Sequence, residues 1–341
     1  MRETLLEHGG NLHDAVGNFG RPLEQWLDLS TGINPHYYPV PPLAADVWHR
    51  LPETSKALLD AACACYRAPR MLAVAGSQAA IQALPRLRAI ARVVVAAPSY
   101  AEHAHQWRCA GHAVSEIAYS ELEAAIDQAD VVVLCNPNNP TGASVAPAQL
   151  LAWAARLAQR GGWLVVDEAF GDTMPALSVC PHSGVAGLIV LRSVGKFFGL
   201  AGIRVGFVAA EAKLLHRLAA WLGPWTLNGP AQQIACAALS DRVWQSEMRQ
   251  TLADAGQGLR ALLHAHGFAS SGTDLFQWVS DRDLAGRTEL LWRFMAERGI
   301  WLRWFAAGAQ RPHGLRFGLP GTAAGWERLS LALNEWSQHA H

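Results

Sequence analysis

Apolar positions along this chain follow two rhythms. Short apolar runs at 71–74, 93–98, 131–135, 163–166 and 185–191, the last interrupted by Gly187, have the length and β-branched content of strands covered on both faces. Helical spacing lies between them. Leu58, Leu59, Ala62 and Cys65 share one side of 56–66, and Ile81, Leu84 and Leu87 follow Gly76-Ser77-Gln78. A further helix, from Pro147 to about Arg160, is closed by Gly161-Gly162. Pro85 should kink or shorten the second of these helices. Strands alternate with helices from 70 to 208, which predicts an α/β fold with a mainly parallel sheet between helices.

After Val208 the pattern is helical through about 211–222 and 230–265, with Pro224 and Gly229-Pro230 as breaks. Strands are expected at 273–279, 300–304 and 315–318, a helix at 287–298, and a last helix from 322. This is a smaller α+β block. Residues 1–40 are rich in Gly, Asn and Pro, show little periodicity, and run extended into a turn at 28–35. Phe19 and Trp26 in this arm demand burial, so it must lie on the rest of the chain or on a second subunit. The expected division is an arm at 1–40, a large domain at 41–235 and a small domain at 236–341.

Composition narrows the partners. The 28 basic and 28 acidic residues cancel, which argues against nucleic acid or an anionic membrane as the main partner. No apolar run reaches a membrane span, and Met1-Arg2-Glu3-Thr4 carries no signal-peptide pattern. Six scattered cysteines without a Cys-x-x-Cys pair read as reduced thiols in a cytoplasmic protein. The histidines show no ligand spacing; His103 and His105 read as solvated, and no metal site is expected. The tryptophans Trp221, Trp225, Trp292, Trp301 and Trp304 suggest a bulky core or interface.

Parallel sheets hold ligands beyond the carboxyl ends of their strands. Ser77, Tyr100, Asn139, Asp167 and Lys196 all fall at or just after such ends. Small and aromatic residues surround Lys196, and a buried amine loses its proton readily and forms Schiff bases. Arg204, eight positions on, can pair two phosphate oxygens with its planar fork. An imine-forming lysine beside a phosphate-binding arginine describes a site for pyridoxal phosphate; the plain alternative is a loop with two solvated cations. Ser77-Gln78 at a helix start offers N–H groups to an anion, although Ser77 also serves as an ordinary N-cap.

The segments Asn136-Pro137-Asn138-Asn139-Pro140-Thr141-Gly142, Asp167-Glu168-Ala169-Phe170 and Ser193-x-x-Lys196-x-x-Gly199-x-x-Gly202-x-Arg204-x-Gly206 together resemble the fold-type I pyridoxal-phosphate enzymes, of the aminotransferase-like superfamily. The resemblance implies that Lys196 and Asp167 are catalytic, Lys196 holding the cofactor and Asp167 pairing the ring nitrogen. It implies that Asn139 bonds the phenolic oxygen, that Tyr100 stacks on the ring, and that Ser77, Gln78, Ser193 and Arg204 hold the phosphate. Arg316 matches the family's carboxylate-binding arginine, with a surface cation as the plain alternative. Two positions depart from the pattern: Phe170 stands where a hydroxyl-bearing tyrosine is usual, and Arg50-Leu51-Pro52 lacks the tyrosine that many relatives place before a proline.

His8-Gly9-Gly10-Asn11, with the segment from Leu27 to Pro35, resembles the start of the threonine-phosphate decarboxylases of cobalamin biosynthesis. This implies loss of CO2 from L-threonine O-3-phosphate to give (R)-1-aminopropan-2-ol O-phosphate, with His8, Gly32, Asn34, Arg303 and Arg316 on the substrate. The rival is an aminotransferase acting on histidinol phosphate or a similar phosphorylated amine. Active sites in this superfamily usually form at dimer interfaces, so a homodimer is expected.

Overall fold

The computed structural model describes residues 8–306 and 313–339; Met1-Arg2-Glu3-Thr4 lies outside them. The strands are β1 (Leu27–Leu29), β2 (Met71–Val74), β3 (Arg92–Ala97), β4 (Ala113–Ala118), β5 (Val131–Cys135), β6 (Trp163–Asp167), β7 (Leu188–Ser193), β8 (Gly206–Ala209), β9 (Ser271–Thr273), β10 (Phe276–Ser280), β11 (Ile300–Phe305) and β12 (Gly314–Gly318). The α-helices are α1 (Leu12–Phe19), α2 (Lys56–Tyr66), α3 (Ser77–Ala83), α4 (Glu102–Cys109), α5 (Leu122–Ala125), α6 (Pro147–Ala158), α7 (Ala212–Leu222), α8 (Gly229–Ser240), α9 (Arg242–Ala265), α10 (Thr288–Glu297) and α11 (Ala323–His339).

Internal contacts divide the chain into two compact units. The larger is 37–139 with 143–249; the smaller is 1–36 with 140–142 and 250–341. This differs from the boundaries expected at 40 and 235. Helix α8 packs on α2, which draws 236–249 into the larger unit. Residues 1–36 belong to the smaller unit because β1 is one of its sheet strands, pairing parallel to β11 from Leu27↔Ile300 to Leu29↔Leu302.

The larger unit is built on a seven-stranded sheet in the order β2-β8-β7-β6-β5-β3-β4. Pairs from β4 through β7 are parallel. The valine- and leucine-rich runs of β3, β5, β6 and β7 are buried along nearly their whole length, as strands covered on both faces require. Strand β8 is antiparallel to both neighbours. The 194–205 loop joins β7 to β8 without a crossover helix, and only an antiparallel neighbour can be reached that way. The two reversals restore direction, so β2 ends on the same edge as β7. Pro85 acts as expected: α3 stops at Ala83 and tightens into a 3-10 turn at Leu84–Leu87.

The smaller unit has a five-stranded sheet in the order β1-β11-β12-β10-β9, antiparallel except for β1 with β11. The single strand expected at 273–279 is a tight hairpin, β9 and β10. Helix α1, unseen in the sequence reading, puts Leu12, Val16 and Phe19 against a core that includes Trp26 and Trp301. Phe19 meets Trp26, Trp292 and Trp301 edge-on at ring separations of 5.8–6.1 Å. Trp304 lies 5.1 Å from Trp292, so three of the unplaced tryptophans belong to this cluster. Trp221 and Trp225 of the larger unit are more than half exposed.

Candidate active site

Five strand ends of the larger unit converge on one edge. Gly206 of β8 pairs with Val74 of β2 on one side and Ser193 of β7 on the other. A Cβ on Gly206 would stand 2.5 Å from the Ser77 backbone nitrogen, and one on Gly76 would stand 2.8 Å from Arg204 Nη2. Both glycines are therefore needed for Ser77, Ser193 and Arg204 to crowd together. The result is a cradle of hydroxyls, helix-start N–H groups and one guanidinium, suited to a phosphate. Arg204 itself is exposed and left-handed, φ 55°, with Nη1 donating to Ala201 O at 3.2 Å. The Ser193 hydroxyl accepts the Gly195 N–H at 3.2 Å.

Gln78 sits in the first turn of α3, but its side chain faces away from simple phosphate duty. It donates to Glu102 Oε2 at 2.7 Å and accepts from the Tyr100 hydroxyl at 3.2 Å. Burial raises the pKa of that hydroxyl, so it stays protonated as a donor. The Tyr100 ring stands edge-on to His103, 6.0 Å between centroids.

His103 corrects the sequence reading. Residues 102–109 form a helix, and His103 on it is 2 % exposed rather than solvated. Its Nε2 lies 2.9 Å from Asp167 Oδ2, while Asp167 Oδ1 accepts the Ala169 N–H at 3.0 Å. Burial by itself drives an imidazole towards neutrality. Here the Asp167 carboxylate and the Cys135 side chain outweigh it and hold the His103 pKa up at about 10. The imidazolium therefore donates to Asp167 at neutral pH. Donor atoms of His103, Cys135 and Asp167 lie within 4.8 Å of one another, and Ser99 Oγ is 3.2 Å from Cys135 Sγ. Three separate elements supply this trio, so a search for ligand spacing along the chain passes over it.

Lys196 is half-buried, with Nζ 5.4 Å from the centre of the buried Phe170 ring. Asn139 is half-buried beside Asn138, whose Nδ2 donates to Pro98 O at 2.7 Å. Asn136 clamps Val145 in both directions, at 2.8 and 3.1 Å, and so pins the loop that carries Asn139.

The remaining expected residues belong to the smaller unit. Arg303 and Arg316 are direct cross-strand partners on β11 and β12. Burial first, and then repulsion from Arg303, lowers the Arg316 pKa to about 9, against the pull of Asp28. Two guanidinium groups opposed in this way are a natural seat for an anion. Arg316 also donates to Ser30 O. Gly9 lies on Ser30 so closely that a Cβ there would be 2.3 Å from its carbonyl oxygen, and Gly10 N donates to Ser30 Oγ at 2.8 Å. The glycines after exposed His8 thus let the 8–10 segment rest on the turn that leads to Gly32 and to buried Asn34. Asn34 Oδ1 caps that turn by accepting the His36 N–H at 2.8 Å.

Pyridoxal phosphate offers an aldehyde, a phosphate, a basic ring nitrogen and a flat ring. The larger unit offers an amine, a cradle that two side-chain carbons would close, an ion-paired carboxylate and an aromatic side chain. The donor set fits the cofactor.

The family model described as "Aminotransferase class I and II" matches residues 46–329. The chain is 51% identical over 338 residues to a threonine-phosphate decarboxylase of Pseudomonas aeruginosa, covering 99% of this chain and 100% of that one. It is 43% identical to a threonine-phosphate decarboxylase of Sinorhizobium sp, covering 96% and 97%. Among solved structures, histidinol-phosphate aminotransferase from Sinorhizobium meliloti in complex with pyridoxal-5'-phosphate superposes with a TM-score of 0.82 at 20% identity, covering 99% of this chain and 97% of that one.

Proposed function

The chain belongs to the aminotransferase class I and II family, and on that premise we propose that it removes CO2 from L-threonine O-3-phosphate with pyridoxal phosphate as cofactor. The product is (R)-1-aminopropan-2-ol O-phosphate, a precursor for cobalamin. The near end-to-end likeness to the Pseudomonas decarboxylase carries this reading.

When bound, the cofactor supplies an electron sink for the carbon–carbon bond that breaks. Lys196 would hold the cofactor through its Nζ, and the same amine would supply the proton that returns to Cα. Asp167, backed by the His103 imidazolium, pairs the ring nitrogen and keeps it protonated. Ser77, Gln78, Ser193 and Arg204 hold the phosphate, Gln78 through its backbone. Tyr100 covers the ring, and Asn139 donates to its phenolic oxygen. Phe170 packs on the Lys196 side chain without offering a proton. Arg303 and Arg316 take the substrate's carboxylate and phosphate, with His8, Gly32 and Asn34 as further substrate contacts. The protein selects decarboxylation by orienting the carboxylate bond, which is a matter of positioning.

Incubation with histidinol phosphate and a 2-oxoacid tests the rival. The decarboxylase reading expects no amino transfer there; efficient transfer would replace it. The enzyme works as a cytoplasmic homodimer. Six free cysteines and the lack of any helix long and apolar enough to cross a membrane, among the described residues, support the first part. Exposed Tyr37, Trp48, Leu51, Trp221 and Trp225 of the larger unit support the second. Sedimentation at twice the 36.9 kDa chain mass is expected, and a monomer would contradict it.

A further inference from the structure

Arg192 is a charged residue in the interior of β7, 3 % exposed, one position before Ser193 and four before Lys196. Its guanidinium is enclosed on three sides. Nη1 donates to Glu168 Oε2 at 2.7 Å and Nη2 to Asp172 Oδ1 at 2.9 Å. The Tyr66 ring lies under its plane, 4.3 Å from Cζ to centroid. Glu168 is 0 % exposed and Asp172 3 %, and this one fork is the ion-pair partner of both carboxylates.

The two acids bracket a short turn. Asp167 precedes it, Phe170 lies inside it, and Glu168 and Asp172 are its two ends. Gly171 makes room for the fork, since a Cβ there would be 2.8 Å from Arg192 Nη1. Glu168 fastens the turn to the next segment by accepting the Ser178 hydroxyl at 2.6 Å and the Val179 N–H at 2.7 Å. Arg249 ties the far end, donating from Nε to Asp172 O at 2.8 Å. A lysine cannot reproduce this. It is a point charge on one stem, whereas two separated acids and a ring face call for a planar fork.

We propose that Arg192 is a positioning residue: through Glu168 and Asp172 it sets where the Asp167 carboxylate and the Phe170 ring stand relative to Lys196. The proposal rests on the cofactor assignment above. It extends that assignment to a residue that does not touch the cofactor. If the turn relaxes, Asp167 withdraws from the ring nitrogen and Phe170 uncovers the Lys196 amine to water. Both changes favour the protonated form of the lysine–cofactor link, so its titration moves to higher pH.

The test is Arg192→Lys in the full chain reconstituted with pyridoxal phosphate. The readout is the midpoint pH of the visible absorbance of the lysine-bound cofactor, beside cofactor affinity, kcat and KM. The expected result is a midpoint raised by about half a unit or more, cofactor binding about fivefold weaker, kcat down about tenfold, and KM within about twofold. A midpoint that stays put or falls overturns the proposal, whatever the melting temperature, because a mere structural staple would change stability alone. Should Arg192→Lys fail to fold, Asp172→Asn decides. It keeps the Arg192–Glu168 pair and should raise the midpoint by a smaller amount; an unchanged midpoint there overturns the proposal. Wild-type protein that never develops the absorbance would overturn the cofactor assignment itself, and this proposal with it.

Discussion

His103 carries a positive charge where there is almost no water, and Asp167 keeps it there. Its folded pKa is raised above the ordinary value, to about 10. The stabilisation is therefore complete below the unfolded value of about 6.5 and is lost as pH rises through about 10. His103→Leu should remove that slope from the stability–pH curve. It should also cost about 3–5 kcal/mol, since Asp167 is left buried without its cation. Thermal melts between pH 6 and 10 check both. Arg316 behaves with the opposite sign. Its pKa is held down at about 9, and a bound anion favours the charged form. Substrate KM should be flat below pH 9 and rise above it; Arg303→Gln, by removing the repulsion, should move that break to higher pH. The placement of Lys196, Asp167, Tyr100 and Ser77 at or just after the ends of β7, β6, β3 and β2 was legible in the sequence, because each strand is a plain apolar run. His103 was not, because its partner lies 64 residues away and its polar helix hides a buried face.

At the scale of elements, α3 and β8 are locked by a glycine contact. Gly206→Ala would press its Cβ against the Ser77 nitrogen, 2.5 Å away. The start of α3 must then shift, and the phosphate cradle opens. Cofactor affinity should fall at least tenfold, about 1.4 kcal/mol, in an equilibrium titration of cofactor-free protein. Unbroken apolar runs gave β2, β3, β5 and β6 nearly to the residue, and helical spacing gave α2. The reading failed where pattern and burial part company. Helix α4 buries Glu102 and His103, polar residues whose partners include the distant Gln78 and Asp167. In β4, an edge strand, burial is partial and the apolar rhythm is faint. Helix α1 had a signal, Leu12, Val16 and Phe19 at helical spacing, but the Gly- and Asn-rich surroundings masked it.

For the whole molecule, alternation of strands and helices was enough to indicate the α/β sheet of the larger unit. The division of the chain was not legible. The pairing of β1 with β11 and the packing of α1 on Trp292 and Trp301 place the N-terminal arm with the C-terminal unit, and contacts across some 270 residues leave no local trace. The same holds for Arg303 and Arg316, which are opposed only because β11 and β12 are in register. The central claim is the reaction itself. The most direct measurement is CO2 release from L-threonine O-3-phosphate by purified protein with pyridoxal phosphate and no 2-oxoacid, beside a Lys196→Ala control. Steady release by the wild type, with at least a thousandfold less from the control, is the predicted result, about 4 kcal/mol of lost barrier lowering. No CO2 without a 2-oxoacid, and amino transfer once one is added, would contradict the account.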